Sequence, residues 1–186
     1  ITRRHLMQTA GAALAAAGPY RALGAGPAIS PLMTTLSNYM AEAARRALPA
    51  PAVEKTKQII LDTIAAMVSG AELPPGKFAI NFARLYKGEK IATVVASNMM
   101  CGPIEAAMCN GMLAHSDETD DTHPPSQSHP GAPIVPAALA MGEQFGTDGT
   151  RFLRSVALGY DIGPRVTATL GKLQYMAETH RSTHAI

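Results

Sequence analysis

The sequence predicts a mainly α-helical fold. Three observations predict it. The 186 residues are 47% hydrophobic and only 5% aromatic, with alanine and methionine abundant and tryptophan absent. Such side chains lose little entropy in a helix, so this composition favours packed helices over sheets. Apolar residues also recur at helical spacing in segment after segment, punctuated by proline and glycine. Finally, only one stretch, 90–97, is short, β-branched and bounded by polar residues.

The segments follow in order. Residues 30–48 carry apolar positions at Leu32, Leu36, Tyr39, Met40 and Ala43, with Pro31 suited to the first helical position and Ser30 to the cap before it. Residues 49–70 continue with a stripe of Val53, Ile60, Ile64, Met67 and Val68, opened by Pro49 and Pro51 and stopped at Gly70. A third helix is expected over 76–88. "KIATVVAS" reads as an isolated strand or extended segment. Residues 102–116 resume helical spacing, with Pro103 near the start. Two further apolar helices are expected over 132–146, ending at Gly146, and over 147–171, where Thr147 suits the cap. Asp161 and Arg165 in the last form an i,i+4 pair, a modest solvated salt bridge.

Composition excludes some functions. With 16% charged residues and so apolar a chain, disorder is not expected. A formal net charge of +2, with no Lys/Arg-rich stripe among aromatics, argues against nucleic acid as a partner. Cys101 and Cys109 are the only cysteines. In a helical reading their spacing is too wide for a disulfide, and they are expected to be small buried hydrophobes.

Residues 1–28 read differently. Arg3 and Arg4 precede an alanine-rich apolar run and small residues near Gly24 and Ala25. That order resembles a twin-arginine export signal, and the run is too short to span a bilayer stably. The expectation is an exported, periplasmic protein whose folded part covers 29–186, with a cytoplasmic location as the alternative. No membrane partner is expected.

"HSDETDDTHPPSQSHPG", residues 115–131, concentrates the chemistry. In a chain poor in charge it holds His115, Asp117, Glu118, Asp120, Asp121, His123 and His129. Three readings compete. Imidazoles and carboxylates suit a metal, but neither H-E-x-x-H nor the spaced calcium-loop pattern is present. A solvated acidic loop is the plain alternative. General acid–base catalysis is the third, because neighbouring carboxylates and imidazoles push each other's proton affinities apart. Prolines on both sides would hold such groups in fixed geometry.

The ordered set "NGMLAHSDETDDTH", "SHPGAPIVPAALAMGEQFGTDG" and "ALGYDIGPR" resembles the MmgE/PrpD family, over about residues 32–186. The resemblance implies a helical large domain followed by a smaller α/β lid, commonly as a homodimer. It implies proton transfer beside a carboxylate without metal or other cofactor. Members include 2-methylcitrate dehydratase, cis-aconitate decarboxylase and iminodisuccinate epimerase. The family's H-P-[GS] histidine corresponds to His129, and its D-x-D-D-T to residues 118–122, with Glu118 replacing the first aspartate. The segment between Thr122 and His129 is about one residue longer than in some members. Family chains run well over twice this length, so the chain is expected to stop before the lid.

On this reading the substrate is a small di- or tricarboxylate, 2-methylcitrate-like, dehydrated by β-elimination. Glu118 or Asp120 serves as base and His129 as acid. Asp121 and Thr122 orient them, while His123, His180 and Arg181 contribute to substrate binding. An epimerase or decarboxylase of the same family is the alternative. So is a non-catalytic fragment or assembly subunit, associating as a homodimer or with the rest of the family fold.

Overall fold

Prolines open four of the helices, where their missing N–H is no loss and their fixed φ suits the first turn. The computed structural model describes residues 29–86, 88–171 and 173–179. Residues 1–28, which carry the export-signal reading, lie outside them, as do His180 and Arg181. The architecture is mainly helical, as the composition predicts. The order is α1 (Pro31–Ala43), α2 (Ala50–Gly70), α3 (Pro74–Leu85), β1 (Ala92–Val94), β2 (Met99–Cys101), α4 (Pro103–Ala114), α5 (Gly131–Phe145), α6 (Gly149–Ala168) and α7 (Leu173–Thr179). Two compact units divide the chain, one ending at Tyr39 and one starting at Met40. In the first, the Ser30 hydroxyl accepts the Met33 N–H at 3.2 Å, capping α1 as its sequence predicts.

The core lies in the second unit, where α5 packs against α4, α6, α2 and β1. Met67, Val94, Leu113, Val135 and Val156 are its large fully buried side chains. Alanine fills much of the remainder, so the helices approach closely. Gly70 shows how closely: a Cβ there would stand 2.0 Å from the Leu113 carbonyl oxygen. The last turn of α2 therefore lies against the last turn of α4, just before the His-Asp segment begins.

Several elements differ from expectation. Along α2 the buried positions are Thr56, Thr63, Ala66, Met67 and Gly70, while Val68 is exposed. The two threonines tolerate burial because each hydroxyl donates within its own helix, to Ala52 O at 2.7 Å and Ile59 O at 2.9 Å. α3 begins at Pro74 rather than Gly76, again with proline in the first turn. The stretch at 90–97 is not isolated. β1 pairs antiparallel with β2, in the register Ala92↔Cys101, Thr93↔Met100, Val94↔Met99. The second strand, Met-Met-Cys, has no β-branched residue to announce it. Asn110 of α4 fastens this hairpin from inside the core. Its carboxamide accepts Val95 N–H at 2.9 Å and donates to Thr93 O at 2.9 Å, so its burial leaves neither end unpaired.

Cys101 and Cys109 do not share a helix, since one ends β2 and the other lies in α4. Both are buried free thiols, as the composition suggests. Burial raises both pKa values, that of Cys109 to about 11. Gly146 ends α5 in the left-handed conformation at φ 59, the stop expected there. The cap of α6 is Asp148 rather than Thr147, its carboxylate accepting the Arg151 N–H at 2.8 Å. Asp161 and Arg165 do pair, at 2.7 Å on the exposed face. No helix among the described residues is long and apolar enough to cross a membrane.

The Gly70 contact generates a prediction. Gly70→Ala forces the α2 and α4 ends apart and is expected to cost about 1–3 kcal/mol in urea unfolding. Gly149→Ala, with nothing within 4 Å of the added methyl, is expected instead to stabilise by about 0.4–1 kcal/mol. Equal effects at the two positions would contradict the packing described.

Candidate active site

The segment from His115 to Pro130 leaves the end of α4 and returns to the start of α5. His115 caps α4 with φ −98 and ψ 1. Asp117 then ties the segment to the last turn of α2, accepting the Ser69 hydroxyl and, at 2.7 Å, the Thr119 hydroxyl. The Ser69 bond, followed by the Thr119 bond, holds its carboxyl below the usual carboxylate range. Glu118 turns the chain at φ 53, a left-handed conformation that costs a non-glycine residue about 1–2 kcal/mol, and its side chain is exposed.

That turn carries Asp120 inside. Its side chain has 0% exposure. His115 Nδ1 stands 3.1 Å from both carboxylate oxygens, and His129 Nδ1 is 3.7 Å from Oδ2. The two imidazoles meet edge to face, with ring centroids 5.7 Å apart at 62°. Where an imidazole donates from Nδ1 to a carboxylate, its Nε2 is the nitrogen left to accept. One buried carboxylate thus orients one imidazole and faces a second.

Asp121 works differently. Its Oδ1 accepts the Gly131 N–H at 2.8 Å and its Oδ2 the Tyr160 hydroxyl at 2.7 Å. This joins the start of the segment to the first residue of α5 and to the middle of α6. Only glycine fits at 131: a Cβ would lie 2.6 Å from Asp121 Oδ1, 2.8 Å from Thr63 Oγ1 and 2.9 Å from the Tyr160 hydroxyl. Burial, with the Asp121 hydrogen bond second, raises the Tyr160 pKa, so the phenol stays a donor.

His123 belongs to another cluster. Its N–H donates to Ser128 O at 2.9 Å, and its Nδ1 lies 2.7 Å from Ser126 Oγ. Ser126 Oγ in turn lies 2.7 Å from Ser128 Oγ, and both serines are buried. The prolines at 124 and 125 are exposed, and the turn beneath them is closed by these hydroxyls. Thr122 is exposed. Of the residues expected at the site, Asp120 and His129 are therefore brought together. Asp121 braces them, His123 anchors the neighbouring turn, and Glu118 and Thr122 lie outward. His129 also borders a hollow of about 540 Å³ between α5 and α6, lined mostly by apolar residues such as Ile134, Met141 and Phe152. Among the described residues, no three His, Cys, Asp or Glu side chains are grouped to hold a metal ion.

Residues 34–185 match the MmgE/PrpD N-terminal domain. The chain belongs to the MmgE/PrpD family. Its similarity to individual members is modest. It is 28% identical over 142 residues to the cis-aconitate decarboxylase-like protein oryM of Aspergillus oryzae, covering 73% of this chain and 30% of that protein. It is 26% identical over 124 residues to the cis-aconitate decarboxylase of Aspergillus terreus, covering 64% and 25%. The human cis-aconitate decarboxylase is 26% identical over 119 residues, covering 63% and 24%. The chain thus spans less than a third of the length of these relatives.

Sequence reasoning passed over His115 as a site member, though it stands in the quoted stretch NGMLAHSDETDDTH. A histidine at an expected helix end, five residues before an aspartate, was the available signal. Tyr160 stands in the quoted stretch ALGYDIGPR, but nothing in its spacing tells that it reaches Asp121. Thr63 and Ser69 carry no sequence signal at all.

Two outcomes follow from this bracing. Tyr160→Phe leaves Asp121 with one donor fewer and is expected to cost about 1–3 kcal/mol in urea unfolding. Asp117→Asn tests the tie to α2. Because the folded pKa of Asp117 is lowered, its contribution is present above the unfolded carboxylate value and is lost as pH falls through the folded one. The stability gap between wild type and Asp117→Asn should therefore be open at neutral pH and close in strong acid. A gap independent of pH would contradict the Ser69 tie.

Proposed function

We propose that the protein forms the proton-transfer centre of a lyase acting beside a carboxylate of a small di- or tricarboxylate. The observation that carries this reading is the buried Asp120 carboxylate, 3.1 Å from one imidazole and 3.7 Å from another. Two imidazoles on one carboxylate can hold different protonation states, one as acceptor and one as donor. Asp120, wholly enclosed, is better suited to orient them than to take a substrate proton itself. Glu118, exposed on its strained turn, stays a candidate base only for a substrate that reaches that side.

In a dehydration of a 2-methylcitrate-like substrate, His115 Nε2 takes the proton beside the carboxylate. The electron pair forms the double bond, and His129 protonates the hydroxyl that leaves as water. The names of the relatives favour a second reading, decarboxylation of a cis-aconitate-like substrate. There the carbon–carboxylate bond breaks, carbon dioxide leaves, and the electron pair left behind takes a proton from His129. Both need the same acid, and neither step is assigned to a metal. Exposed Phe78, Leu85 and Ile104, on α3 and α4, support association with a second copy or with the rest of the family fold.

Assay of the protein with 2-methylcitrate, cis-aconitate and iminodisuccinate, following water loss, carbon dioxide release and inversion separately, decides between the reactions. His129→Gln and His115→Gln are each expected to lower kcat about 10²–10⁴-fold, with activity unchanged by chelators. A folded protein that turns over none of the three would sink the lyase reading and leave the assembly subunit. Loss of activity to a chelator would overturn the metal-independent chemistry.

A further inference from the structure

A second group of charges lies apart from the acid–base segment. The residues that close α1 and open α6 line a hollow of about 400 Å³, with Arg45, Arg151 and Arg154 in its wall beside Thr147 and Ser155. Among the described residues, no carboxylate lines it. The nearest acids in sequence are already paired. Glu42 pairs with Arg46 at 2.8 Å, Asp148 caps α6, and Glu143 accepts the Thr93 N–H at 2.8 Å. Arg154 is held in place, its Nη1 donating to Ala44 O at 3.2 Å. Its Nε is buried with no hydrogen-bond partner among the described residues.

Guanidinium groups stay protonated at any physiological pH, so three in one hollow repel one another unless an anion joins them. A planar fork with an unused N–H matches the paired oxygens of a carboxylate or phosphate. Thr147 and Ser155 also line the hollow that holds His129, so the two are neighbours, but the arginines line only the first.

We propose that this hollow binds a small multivalent oxyanion, a polycarboxylate or a phosphate, with Arg154 as the fixed fork and Arg45 and Arg151 as exposed arms that close on it. The site is independent of the catalytic reading. Calorimetric titration of the full chain with citrate and, separately, inorganic phosphate tests it, at constant ionic strength and with acetate as the monovalent control. Saturable binding of citrate or phosphate is expected, roughly tenfold or more tighter than acetate. Whichever binds better tells carboxylate from phosphate. Arg45→Gln with Arg151→Gln, both on exposed side chains, is expected to weaken it by roughly tenfold or more. In the wild type the Arg154 Nε–H resonance should shift in step with saturation, a readout that needs no variant. Binding no tighter than acetate, binding indifferent to the double substitution, or a stationary Arg154 resonance at saturation would each overturn the site.

Discussion

A carboxylate removed from water must be met by donors, or it costs several kcal/mol. Asp120 has no exposed side-chain surface, and the groups facing it are an imidazole at hydrogen-bond distance, His115, and a second at 3.7 Å, His129. That choice constrains everything around it. Two histidines fourteen positions apart must arrive at one point, from the end of a helix and from just before the next. The chain between them has to turn sharply at Glu118, where it accepts a left-handed φ. It must then be closed off from solvent by a second carboxylate, Asp121, which ties it to α5 and α6. The two adjacent aspartates thus divide the labour. One is enclosed with imidazoles and the other with an amide and a phenol.

The scaffold answers this demand with small residues. Gly70 lets the ends of α2 and α4 touch, and Gly131 lets α5 begin against three oxygen atoms at once. A side chain at either place would push an element away from the segment and let water in beside Asp120. The alanine-rich composition that first suggested packed helices is the same property seen over the whole chain. Cores of this kind gain less from each side chain than cores of leucine and phenylalanine, and they depend more on close backbone approach. The fully satisfied carboxamide of Asn110 fits that picture, because it locks a two-strand hairpin to a helix where no large side chain could.

How far the sequence told this depends on how local each cause is. Helix starts were legible because proline acts on its own turn, as at Pro31 and Pro103. The end of α5 was legible for the same reason, through Gly146. The cap of α6 was misassigned by one residue, since Thr147 and Asp148 are both good caps and only the turn geometry chooses. β2 was invisible because its pairing partner, not its composition, makes it a strand. The buried face of α2 was misread at Val68 and Thr63, since a threonine that bonds its own helix behaves as an apolar residue. In the site, the crowd of acids and imidazoles was plain. Their division into Asp120 with His115 and His129, Asp121 with Tyr160, and His123 with two serines was not. Those partnerships arise from folding the segment back on itself and onto α2 and α6.

The inequality of the two imidazole distances carries one more consequence. At 3.1 Å His115 is hydrogen-bonded to Asp120, whereas at 3.7 Å His129 is within ion-pair reach but outside hydrogen-bond range. A ring held by a carboxylate keeps its tautomer and its orientation. His129 is also the one of the pair that borders the α5–α6 hollow. The held ring, His115, is the more exposed of the two, at 41% against 20%, so the carboxylate rather than enclosure fixes its orientation. Both rings thus meet one buried charge, one held at the solvent side and one lining the hollow.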